Sequence, residues 1–175
     1  MTASTKSRCW RFRDGLTAVS GTLICSLVIA LLDVVVDGSY IFSAGACPIS
    51  FFVAVVRTIA RRPSLGVAAA RVLIPLVTGL LAVANYSLQT RFAMANAARL
   101  IHVCEHYHKA NGTYPERLGD LVPHYLSSVP RAKYCCSRSE FGYCGPPHPT
   151  LFWWECPPFG RRVYLFETGQ WRYVD

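Results

Sequence analysis

Charge is what this chain has least of. Only 16% of its 175 residues are Asp, Glu, Lys or Arg, while 52% are hydrophobic, a balance unusual for an ordinary soluble domain. Three stretches carry no charge at all: residues 15–32, 38–56 and 72–90, with eighteen, nineteen and nineteen members. At about 1.5 Å of rise per residue, each is just long enough for one membrane helix. Catalytic signatures are missing too. There is no Ser-His-Asp set, nucleophile elbow, carboxylate pair or glycine-rich phosphate loop, so the expectation is a protein that is not an enzyme and holds no cofactor.

Basic residues are absent from one link and dense in the other. Lys6, Arg8, Arg11 and Arg13 precede the first window, and Arg57, Arg61, Arg62 and Arg71 separate the second from the third, whereas the first link has Asp37 and no Lys or Arg. Positive charge stays in the cytoplasm. The expected organisation is therefore a basic cytoplasmic leader (1–14), a transmembrane hairpin (15–56) turning at Asp37-Gly38-Ser39, a basic cytoplasmic loop (57–71), a third span (72–90), and an outer domain (91–175). The first window runs on through Val34 to Val36 and lacks a small-residue exit, which argues for a retained span over a cleaved signal. With the net charge of +8 largely spent on this topology, nucleic acid is not an expected partner; membrane lipid is. Asp33, close to the outer interface, is expected to reach headgroups and water, and Arg71 to snorkel to the inner surface. If the second window, diluted by Ser43, Gly45, Cys47, Pro48 and Ser50, were re-entrant, the C-terminal part would lie in the cytoplasm.

Beyond Arg91 the apolar residues narrow to a stripe. On a helical wheel Ala97, Leu100, Ile101, Cys104 and His108 share about one third of the circumference, so the third span is expected to continue as one stalk helix. His102 and His106 stand four apart on the opposite face, a possible zinc pair; Arg99 and Lys109 flank them and no thiol or carboxylate joins them, so no metal site is assigned. His108 reads as a hydrogen-bonded core histidine. Asn111-Gly112 should end the helix, and Pro115 should open a short helix buried through Leu118, Leu121 and Val122. Aromatic and β-branched runs at residues 141–144, 151–154, 163–166 and 171–174 read as strands, with a hairpin at Thr168-Gly169. The fold class expected is α+β: three transmembrane helices, the last packing its extension on a small antiparallel sheet.

Five of the eight cysteines, Cys104, Cys135, Cys136, Cys144 and Cys156, fall in this last part. In an oxidising compartment they are disulfide candidates, two bridges and one thiol, with the pairing left open. The adjacent Cys135-Cys136 supplies the alternative function, a membrane-anchored thiol redox protein. Trp153 and Trp154, neighbours on a strand, must point to opposite faces. One of them is then a candidate contact for an envelope protein partner.

The run NGTYPERLGDLVPHYLSSVP at residues 111–130, directly after an amphipathic helix that leaves a membrane span, resembles the pseudopilins of type II secretion and, more broadly, type IV pilin-like proteins. Gly112, Tyr114, Pro115, Leu118, Leu121, Pro123, Tyr125, Leu126 and Pro130 carry the match. The resemblance implies a periplasmic α+β domain on a bacterial inner-membrane protein, with a structural or interaction role in the envelope or in a secretion or pilus-related assembly. It does not extend to the processing site: Ser64-Leu65-Gly66-Val67-Ala68 lacks the Gly-Phe junction and the acid that follow the family's leader, and Cys25 stands where Gly21-Thr22-Leu23-Ile24 would need the acid. Processing and polymerisation are therefore not implied.

Overall fold

A computed structural model of the chain describes residues 19–37, 40–61, 63–135, 138–156 and 160–174. The expected leader, the Gly38-Ser39 part of the first turn and Cys136 lie outside them, as does the side chain of Cys156. The protein is α+β. Helix α1 is described from Val19 and turns π-helical over Leu32–Asp37; α2 is Ile41–Arg61 and α3 is Leu65–Asn111. A 3-10 turn (Leu118–Leu121) and four strands follow: β1 (Gly142–Cys144), β2 (Thr150–Cys156), β3 (Gly160–Leu165) and β4 (Gln170–Val174). The chain forms two compact units, whose division falls inside α3 between Ala84 and Asn85, with residues 34–39 counted in the second.

Among the described residues, two helices rather than three are long and apolar enough to cross a membrane, α2 and α3. The apolar stretch of α1, Val19–Val35, is shorter than a span, and residues 15–18 of its charge-free window lie outside the described residues. The expectation of three crossings is corrected accordingly. Burial is inverted relative to a water-soluble core. Ser26, Asp33, Ser43, Arg71 and Thr78 are buried, while Leu27, Phe52 and Leu80 are 62%, 68% and 64% exposed. Asp33 does not reach out to water as expected. Its carboxylate accepts hydrogen bonds from the backbone N–H groups of Phe42 (2.9 Å) and Ser43 (2.8 Å), donors that the first turn of α2 leaves without intrahelical partners. Arg71, expected to snorkel, is also buried. Pro48 lies inside α2, which is nonetheless one uninterrupted helix, and Ser64 directly precedes α3, its carbonyl accepting from the Ala68 N–H at 3.0 Å.

In the second unit, α3 lays its apolar stripe into a core. Ala93, Ala97, Leu100 and Cys104 are fully buried and cluster with Leu118, Leu121, Leu151, Trp153, Tyr164 and Phe166. Small residues at positions 93 and 97 let the aromatic-rich sheet come close. Gly112, at φ +77°, ends the helix, its N–H donating to the His108 carbonyl at 2.8 Å, as a left-handed C-terminal glycine does. The short helix expected from Pro115 is instead a 3-10 turn starting at Leu118, because Asp120 accepts from the Arg117 N–H at 2.8 Å and fixes Arg117 as the entry residue. The strands form an antiparallel meander in the order β1-β2-β3-β4, and Gly169, at φ +64°, turns the last hairpin. Tyr164 and Trp171 pair across β3 and β4 on the helix-facing side.

Candidate functional site

Strand register decides what each side of the sheet carries. Along β2, Leu151, Trp153 and Glu155 are buried, and the residues between them, Phe152 and Trp154, are half-buried on the outer side. Trp153 therefore belongs to the core. It is 1% exposed, edge-on to Phe141 (5.8 Å between centroids) and Trp171 (5.2 Å), so its side chain is enclosed within the domain. Trp154 is the one that faces outward.

Around Trp154 the sheet collects cations. The guanidinium of Arg138 stands 5.0 Å from the ring centre and that of Arg161, its register partner on β3, 6.0 Å; Arg161 is also 5.5 Å from the Phe152 ring. These are cation–π distances. Gly142 on β1 makes room for the arrangement, since a Cβ there would lie 2.2 Å from the Phe152 ring. The result is an open cleft of about 390 Å³ walled by Arg138, Glu140, Phe152 and Trp154. Guanidinium groups held by aromatic rings in this way still have N–H donors for oxyanions, phosphate or carboxylate.

The opposite, helix-facing side of the sheet has its own polar group. Glu155, on the same side as Trp153, is buried and receives two bonds from Arg162, Nε to Oε2 at 2.8 Å and Nη2 to Oε1 at 3.0 Å. Tyr86 of α3 donates to Oε1 at 3.3 Å, and the buried Lys133 donates to the Glu155 carbonyl at 3.1 Å. Gln89, fully buried on α3, accepts from the Tyr134 N–H at 3.1 Å, and the Tyr134 hydroxyl donates to Asn85 at 3.1 Å. These bonds tie the middle of α3 to β2 and to the loop before β1. A buried carboxylate is tolerated only when so fully bonded. The two-residue spacing from Trp153 foretells the inward aim of Glu155; Lys133 and Gln89 carry no comparable signal.

The cysteines do not assemble as expected. Among the described residues no two are joined. Cys104 is buried in the core on the helix side, whereas Cys144 shares the outer face of β1 with Gly142 and is exposed, so the sheet stands between them. Burial, helped by the Glu105 carboxylate, pushes the Cys104 thiol up to about 12, which keeps it protonated and unreactive. Cys135 is buried and Cys136 lies outside the described residues. Burial, with Cys104 nearby, also raises Tyr143, whose hydroxyl donates to the Pro115 carbonyl at 3.0 Å. His108 is stacked on Tyr114 with centroids 4.2 Å apart, and its Nδ1 finds no hydrogen-bond partner, so aromatic stacking replaces the expected bond. His102 is exposed, and His106 meets the edge of Tyr125 at 5.7 Å. Among the described residues no three His, Cys, Asp or Glu side chains gather as metal ligands would.

Comparison with protein families, characterised proteins and solved structures finds no match to this chain.

Proposed function

We propose that this chain is a non-enzymatic, multi-pass protein of a bacterial inner membrane whose periplasmic C-terminal domain is pilin-like and contacts another component of the envelope. The inverted burial of the first unit carries the membrane part: buried hydroxyls and a carboxylate, with leucine and phenylalanine turned outward, suit lipid and would be costly in water. Four features support the pilin likeness. A single helix runs from the apolar segment into the domain core, Gly112 ends it, buried Pro115 and the turn at Leu118–Leu121 follow, and the antiparallel meander comes last. An interaction role is favoured because the acid and base that the domain buries, Glu155 and Lys133, are bonded to the half-buried Arg162 and to the main chain, whereas the groups it turns outward, Trp154 with Arg138 and Arg161, are those enriched at contact centres.

A photocrosslinking residue placed at position 154 in living cells tests the contact. Adducts are expected at 154 and none at 153, whose side chain is enclosed in the core. No adduct at 154 would end the contact reading.

A further inference from the structure

The outer side of the sheet is laid out in two rows. Register sets Phe152, Val163 and Arg172 side by side in one, and Trp154, Arg161 and Val174 in the next, with Arg138 reaching Trp154 from the preceding loop. Arg138 and Arg172 are exposed, and Arg161 is half-buried among the rings. Among the described residues Glu140 is the one acid that lines the cleft. Among the described residues the salt bridges are His148 with Glu167 and Arg162 with Glu155, so none of the three outer arginines is neutralised.

We propose that this face docks on an anionic phospholipid surface, the arginines binding headgroup phosphates and Trp154 lying at the headgroup level. The inference rests on the membrane reading above and names the chemistry of one envelope contact. Three guanidiniums without a salt bridge against one carboxylate call for an anionic partner, and cation–π contact with Trp154 and Phe152 holds Arg138 and Arg161 in place beforehand. Tryptophan beside arginine is the composition of membrane interfaces. The two rows spread arginines and half-buried valines over three strands, an extended face that suits a bilayer better than one acidic side chain or helix. Lipid is also the ligand that a membrane-anchored chain meets at the highest local concentration. The shared oxyanion chemistry would equally take an acidic protein segment, and the test separates the two.

The full chain is reconstituted in nanodiscs of phosphatidylcholine, with or without a minority of phosphatidylglycerol, using brominated lipids to quench tryptophan. Subtracting the Trp154→Phe variant isolates the Trp154 signal. A parallel arm adds separate phosphatidylglycerol vesicles to protein held in phosphatidylcholine discs and follows co-sedimentation. Docking predicts quenching or co-sedimentation that needs phosphatidylglycerol and fades at high salt. Each of the substitutions Arg138→Glu, Arg161→Glu and Arg172→Glu should weaken it by roughly fivefold or more, in line with the worth of one basic side chain near an anionic surface. Varying lipid charge and salt on the unsubstituted protein gives the same answer should a variant fail to fold. Signals equal in both lipids, or unmoved by salt, overturn the proposal. If crosslinks from position 154 to a protein persist in that case, the lipid assignment falls and the contact reading stands; lipid docking without protein adducts reverses that outcome.

Discussion

Cys104 shows how one side chain's surroundings set a measurable property of the whole fold. Its thiol, ordinarily ionising near 9, is pushed to about 12 by burial and by Glu105. The unfolded chain therefore loses this proton first as pH rises, and the folded state holds more protons between the two values. Stability must then fall with rising pH across that window, by up to about 1.4 kcal/mol per pH unit for one group. Below pH 8 the group contributes no slope. Chemical unfolding of the protein at pH 8 and pH 10.5 should show this loss, and Cys104→Ala should have a shallower alkaline slope whatever its starting stability. Equal slopes in the two proteins would refute the assignment. Residue-scale facts of this kind were partly legible. The wheel put Cys104 on the apolar stripe, and strand alternation required Trp153 and Trp154 to part, but which of them turned inward waited on the register with β3. Of the disulfide pairings left open, Cys104 with Cys144 is removed by something spacing does not carry, since the two lie on opposite sides of the sheet. Arg138 became part of the site only because a loop returns it to Trp154.

At the scale of elements, boundaries set by backbone chemistry were the most readable. Gly112 and Gly169 adopt the left-handed conformation that glycine alone takes freely, and all four strands arise from the aromatic and β-branched runs. The first helix differs from expectation in length: its described apolar stretch, Val19–Val35, is shorter than a span. Its backbone widens into a π turn at Leu32 and carries Asp33 inward, a tertiary event with no local signature. Asp33 then serves as a detached cap for α2, where a carboxylate both fills open donors and meets the positive end of the helix dipole. Asp33→Ala should cost about 1–2 kcal/mol locally, read as roughly tenfold faster hydrogen exchange at the Phe42 and Ser43 amides. Asp33→Asn, which keeps an acceptor, should recover part of the protection. Unchanged exchange in the alanine variant would show that the helix start does not depend on this carboxylate.

For the whole molecule, the side on which the C-terminal domain lies does not depend on whether α1 crosses. Two crossings are available in α2 and α3, and the segment where they meet is basic: Arg57 and Arg61 in the last turns of α2, Arg62 between the helices and Arg71 in the second turn of α3. If that segment is cytoplasmic, as its charge requires, everything after α3 is on the other face with two spans or with three. The amino terminus is different. With two spans it shares the outer side with the C-terminal domain, leaving Lys6, Arg8, Arg11 and Arg13 where the positive-inside rule disfavours them; a third crossing by α1 returns them to the cytoplasm. Paired reporters divide these cases. An alkaline phosphatase fusion after residue 175 should be active and a fluorescent protein that matures only in the cytoplasm should be dark there, whatever α1 does. The same pair at residue 1 then counts the crossings: cytoplasmic fluorescence means that α1 completes a span together with residues preceding Val19, and phosphatase activity means that it stays on the outer side. A fluorescent C-terminal fusion would place the sheet, its arginines and its cysteines in the cytoplasm and remove the topology from which the periplasmic reading is built.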